Sequence, residues 1–254
     1  MDRRWNWYWI VPLILAPILF AITQNAIYLW VGFGAGVLLL WLFRHLALPP
    51  HLHNAVKLYR RGQLEAAQAA ATQAINKSPD RWETYHTRSL INFGLSDLAG
   101  AEKDARQAVS LKPTVSTGHI ALGQALYWQA RYEEAQAAYK EAIRHQAREG
   151  LNHFYLIMTQ YRLGQFEDVA ITAPFALKLG INNPSFMLLA YYYLLDSLER
   201  LNRPDEAAAA LEQLKQHEMG LEPFQDDLAS VSGFPALPAL RQDVRAIASR
   251  LATA

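Results

Sequence analysis

The chain has 254 residues, 52% of them hydrophobic and 19% charged, with a formal net charge of +1 and no cysteine. A disulfide scaffold, a thiolate metal site, an iron–sulfur centre and a cysteine nucleophile are therefore excluded. The first 49 residues set Asp2 against Arg3, Arg4 and Arg44. The remainder is near-neutral, which argues against a nucleic-acid binder that relies on phosphate charge.

Residues 5–43 contain no Asp, Glu, Lys or Arg. This predicts two membrane-spanning helices, 5–22 and 26–43, each about 27 Å long against a hydrocarbon core of ~30 Å. Thr23, Gln24 and Asn25 make the polar turn between them. A secretory signal would have one shorter apolar run and a small-residue cleavage site, so a retained hairpin over 1–47 is expected. Arg3 and Arg4 precede the first span, and Arg44, Lys57, Arg60 and Arg61 follow the second, while the turn has no basic residue. That asymmetry predicts an integral membrane protein with both termini and the following body on the cytoplasmic side. Trp5, Trp7, Trp9 and Trp41 suit one headgroup interface, Tyr28 and Trp30 the other. Gly32 and Gly36 let two helix backbones approach closely. They serve packing within the hairpin, or else dimerisation or docking on another membrane protein. Pro12 and Pro17 are expected to kink the first span.

The following segment repeats. Gly62-Gln63-Leu64-Glu65-Ala66-Ala67 aligns with Ser96-Asp97-Leu98-Ala99-Gly100-Ala101, with Ala130-Arg131-Tyr132-Glu133-Glu134-Ala135 and with Gly164-Gln165-Phe166-Glu167-Asp168-Val169, each 34 residues after the last. A second small column follows at Ala74, Ala108, Ala142 and Ala176, and Pro79 and Pro113 close the first two units. Each unit reads as two amphipathic helices joined by a short polar turn. One pair cannot bury its apolar face alone, so pairs must stack.

This pattern resembles the tetratricopeptide repeat. The third unit, 116–149, matches best, through Leu122, Gly123, Tyr132, Ala135, Tyr139 and Ala142. There are departures: Ala147 stands where a closing proline is expected, Val169 replaces a small alanine, and Pro174 lies inside a second helix. A fifth, divergent unit is expected from about 183 to 215, with about four residues inserted before its turn at Asn202-Arg203-Pro204. The resemblance covers 48–215 and implies an all-α, right-handed solenoid of helix pairs. Residues 216–236 read as a loop rich in Gly, Pro, Asp and Ser. Leu237, Leu240, Val244, Ile247 and Leu251 then form a one-sided apolar stripe, expected on a final capping helix.

The resemblance also implies that the first helix of each pair lines a concave groove for a partner helix or extended peptide. One groove position carries Tyr59, Phe93, Tyr127 and Tyr161 at the repeat spacing. Further groove candidates are His86, Leu90, Ile120, Gln124, Trp128, Phe154, Met158 and Arg162. The rings suit apolar anchors of a partner protein, or they fill space between successive first helices. The form of the fold that clamps chaperone tails uses basic and asparagine side chains, and here the matching positions are Leu52 and Val56. No such activity is expected.

No catalytic residue, cofactor or metal site is expected. The chain lacks a phosphate-binding loop, a dinucleotide fingerprint and a nucleophile elbow. His51, His119 and His153 share one repeat position, with Tyr85 in the remaining unit. The resemblance implies that they fill a helix-packing slot. His51 and His53 point to different sides of a helix and form no chelate. Asp226 and Asp227 read as a solvated turn. The functional expectation is a membrane-anchored scaffold that holds a partner in the groove and assists assembly of a membrane complex. The alternative is a stoichiometric accessory subunit whose hairpin makes the main contacts.

Overall fold

A computed structural model describes residues 51–253, together with Gly34, Val37 and Leu38 of the first of the chain's two units, Met1–Pro49. The expected spans, with Gly32 and Gly36, otherwise lie outside the described residues. Among the described residues no helix is long and apolar enough to cross a membrane.

Between residues 51 and 253 the chain forms twelve α-helices, ten of them in five pairs. The pairs are α1 (Leu52–Arg60) with α2 (Leu64–Lys77), α3 (Trp82–Gly94) with α4 (Leu98–Leu111), α5 (Ser116–Trp128) with α6 (Tyr132–His145), α7 (Gly150–Arg162) with α8 (Phe166–Leu179), and α9 (Pro184–Arg200) with α10 (Pro204–Gln216). A 3-10 turn, Glu218–Gly220, leads to α11 (Leu221–Ser230) and α12 (Leu237–Thr253).

The repeat is written into the turns. Gly62, Ser96, Ala130, Gly164 and Asn202 all sit in the left-handed region, with φ of 72°, 62°, 60°, 69° and 54°. Each closes the same pair of bonds. In the third pair Ala130 N donates to the Tyr127 carbonyl at 2.8 Å and Arg131 N to the Leu126 carbonyl at 3.0 Å. These bonds satisfy carbonyls that the end of a helix leaves open. Glycine takes this conformation freely; Ser96, Ala130 and Asn202 take it against the steric preference of an L-residue.

The small columns lie at the helix crossings. Ala67, Ala101, Ala135 and Val169 are buried, as are Ala74, Ala108, Ala142 and Ala176. Gly123 is needed for the same close approach, because a Cβ there would meet the Tyr139 ring at 2.5 Å. Tyr139 is buried and stacks on Tyr155 at 5.3 Å, while Tyr132 is half-buried against Tyr127. In the fifth pair Ala207, Ala210 and Leu214 take the buried role. Its insertion lies in the first helix: α9 has 17 residues against 13 in α7. Four residues are close to one helical turn, so the buried face keeps its direction.

The structure corrects the reading of 216–236 as a loop. Residues 221–230 are helical, and Asp226 and Asp227 are exposed helix residues rather than turn residues. The helix is short, and only Phe224 and Leu228 mark its buried face. A two-residue stripe is too little periodicity to read from sequence.

Candidate protein-interaction site

The first helices α3, α5, α7 and α9 present their C-terminal halves to one common face, and that face is occupied by the chain itself. The Phe234 ring stacks on Phe93 of α3 at 5.4 Å and lies 5.1 Å from Trp128 of α5. Ala236 N donates to the Trp128 carbonyl at 3.3 Å. Further along, Arg162 of α7 forms an ion pair with Asp243 of α12. The Tyr193 hydroxyl of α9 donates to the same carboxylate at 2.7 Å. Arg250 then reaches Glu199 of α9, at 2.6 Å for each nitrogen–oxygen pair. Residues 234–250 thus run along the first helices of the second to the fifth pair. The expected cap does not sit on the last helix alone: Leu237, Leu240, Val244 and Ile247 are buried along this inner course.

The centre of the face is a buried polar cluster. Arg162 donates to the Tyr127 hydroxyl at 3.3 Å and to the Tyr193 hydroxyl at 3.2 Å as well as to Asp243. Burial opposes its charge, but the two phenols and Asp243 outweigh that and raise its pKa. Burial also pushes the Asp243 carboxyl above the usual range, against the pull of Arg162 and of the Tyr193 hydroxyl. Burial raises Tyr127 to about 12, so its hydroxyl stays protonated at neutral pH. Beside this cluster Tyr161 stacks on Tyr193 at 4.2 Å and donates to Asp196 at 2.8 Å.

The sequence-derived groove residues therefore have unlike surroundings. Tyr59 is exposed at 36%, whereas Tyr127, Phe154 and Met158 are buried at 2%, 0% and 7% and are not open to a partner in this conformation. Phe154 stacks on Phe186 at 4.7 Å, a contact between successive first helices. Phe93, Trp128, Tyr161 and Leu90 are half-buried against the main core. Gln124 donates to the Tyr155 hydroxyl at 3.0 Å, and His86 packs beside Trp82, where burial lowers its pKa. The structure brings Phe93, Tyr127, Trp128 and Arg162 together through the tail, and it leaves Tyr59 and His86 outside that cluster.

Phe234, Asp243, Tyr193 and Asp196 were missed. Repeat register could not find the first two, which lie beyond the last unit. One signal was present: Asp243 falls within the apolar stripe, between Leu240 and Ile247. A carboxylate on a buried face needs a partner.

The histidine column has a structural use. His119 and His153 are buried, and each donates its Nε2–H to a main-chain carbonyl, that of Pro113 at 2.7 Å and that of Ala147 at 2.9 Å. The same bond is made to the closing proline and to the alanine that replaces it. His51 is exposed at the start of α1. Among the described residues no three or more His, Asp or Glu side chains are grouped so as to hold a metal.

Comparisons with known proteins agree with this geometry. Residues 120–173 match the family model described as the tetratricopeptide repeat. Over 72 residues, 28% of the chain, it is 36% identical to the small glutamine-rich tetratricopeptide repeat-containing protein 2 of Saccharomyces cerevisiae. The matched stretch spans 21% of that relative's length. Among solved structures, MamA covers 65% of the chain and 94% of its own, with a TM-score of 0.59 at 18% identity. YrrB, a repeat protein described as having an unusual peptide-binding site, covers 66% and 85%, with a TM-score of 0.58 at 14% identity. The turns, the alanine columns and these similarities identify the body of this chain as an all-α helical-repeat solenoid of the tetratricopeptide type.

Proposed function

We propose that this chain is a membrane-anchored protein-interaction scaffold that assists the assembly or stability of a membrane complex. The observation that carries the binding part is the first-helix face, which already holds a helix by ring contacts, a main-chain bond and a buried ion pair. Concave faces of solenoids are extended binding surfaces, and YrrB is described as having an unusual peptide-binding site. The anchoring part rests on the uncharged residues 5–43 and their basic flanks. In this reading both termini and the repeats face the cytoplasm. The role is one of binding rather than catalysis.

A second reading draws on one observation. The inner face is filled by the chain's own tail, which favours an accessory subunit whose hairpin makes the lasting contacts. Recovery from detergent with the full chain and with a chain lacking residues 1–47 separates the two. The scaffold reading expects substoichiometric recovery that Phe93→Ala reduces. The subunit reading expects fixed stoichiometry that is lost with residues 1–47. Protease protection in sealed vesicles tests the topology, and a repeat body shielded on the far side would reject it.

A further inference from the structure

The tail is a ligand of the face as much as a part of the fold. The alanine columns of α2, α4, α6 and α8 are buried at crossings between neighbouring helices, while Phe234, Leu237, Leu240, Val244 and Ile247 of the tail join the main hydrophobic core. Lifting the tail would uncover Phe93, Trp128 and the Arg162 cluster, together with the apolar surface against which Leu237, Leu240, Val244 and Ile247 are buried. The lead into the tail is exposed at Ser232, Gly233 and Pro235, and Gly233 has φ of 83°. No main-chain ladder ties it down. The tail is held by the Phe234 ring, one peptide bond, the Asp243 carboxylate and the Arg250 pair with Glu199, over the buried Ala236, Leu237, Leu240, Val244 and Ile247.

Those fixed points define what else could lie there. Arg162 is nearly buried, at 10% side-chain exposure, and its other partners are neutral phenols. An occupant without a carboxylate would leave a buried cation uncompensated, which is strongly unfavourable. An occupant without a ring would leave the slot between Phe93 and Trp128 empty. We propose that residues 231–253 are a displaceable internal occupant, and that the face accepts in their place a partner segment that enters helix just after an aromatic side chain and carries an acidic side chain at the spacing of Phe234 and Asp243. This rests on the reading of the repeats as a protein-binding scaffold. It adds the chemistry of the partner and makes the tail the gate to it.

The test uses a labelled peptide of residues 231–253 as the probe, titrated in detergent onto the full chain, unaltered or carrying Asp243→Asn. An internal occupant lowers apparent affinity by the fraction of time the site is open. The altered chain should therefore bind the peptide roughly tenfold or more tightly than the unaltered chain does. A peptide that itself carries Asp243→Asn should lose most of that binding. Hydrogen exchange should show 237–253 opening in the altered chain while α3 to α8 stay protected. Phe234→Ala provides a second chain with a weakened tail should the first fail to fold. Equal binding to altered and unaltered chains, absent binding to both altered chains, or indifference to the peptide's carboxylate would overturn the proposal. Such a failure with Phe93→Ala still reducing partner recovery removes only the ring-and-carboxylate chemistry. Failure of both removes the scaffold reading itself.

Discussion

Arg162 and Asp243 stand 81 residues apart in sequence, yet they form the buried ion pair that fastens α12 across the first helices. Removing one partner of such a pair strands a charge and costs about 3–5 kcal/mol, whereas replacing both by apolar groups is far milder. Arg162→Ala should therefore release α12, seen as faster hydrogen exchange over 237–253. Combining Arg162→Met with Asp243→Leu should restore much of the protection. Additive losses in the double variant would show that the two side chains act independently.

Tyr127 is buried and Phe93 half-buried, and this separates two positions that share one repeat column. Tyr127→Ala should lower stability by about 3–5 kcal/mol, as truncation of a core aromatic does. Phe93→Ala should cost less and should act mainly on the tail, through its stack with Phe234. Urea unfolding read by circular dichroism checks both. Equal losses would mean that Phe93 is as deeply structural as Tyr127.

The left-handed turns give a stabilising prediction. Ala130 holds φ of 60° where two other turns use glycine. An L-residue gives up roughly 1–2 kcal/mol in that conformation, partly offset by the greater freedom of glycine in the unfolded chain. Ala130→Gly should raise the melting temperature. A lower melting temperature would show that the unfolded-state effect dominates.

Gly123 shows the opposite sensitivity. Its Cβ would strike the Tyr139 ring, which is buried and stacked on Tyr155. Gly123→Ala should destabilise by about 1–3 kcal/mol through overpacking. Adding Tyr139→Leu should relieve the clash, so the double variant should lose less than the sum of the two singles. Thermal melts of the three variants decide it.

Alkaline pH should open the same region. Tyr127 has its pKa raised by burial from 10.0 to about 12, and burial also raises Tyr193 and Tyr139. For a raised pKa the contribution to stability is complete below the unfolded value and is lost as pH climbs through the folded one. Stability should therefore fall between pH 10 and about 12. Absorbance titration of the phenols, followed in parallel with helicity, should show the last tyrosines ionising together with unfolding. Complete ionisation with helicity intact would contradict the burial of these rings.

Much of the fold was legible because a solenoid is built from contacts between neighbours in sequence. A turn residue at 62, 96, 130 and 164, alanine (or Val169) followed seven residues later by alanine in the first four second helices, and a four-residue insertion before the fifth turn all leave marks at fixed spacing. Those marks determined the helix pairs, the turns and the buried columns. The aromatic column was legible as a position but not as an environment: Tyr59 is exposed and Tyr127 is buried, because cover depends on what packs over each unit. The course of α12 was decided only in three dimensions. Its docking surface is assembled from Phe93, Trp128, Arg162 and Tyr193, one from each of four helices, and no one of those helices carries a sign of it. Periodicity reports contacts that repeat. A single ion pair between distant segments occurs once, so its energy shapes the site without leaving a pattern in the sequence.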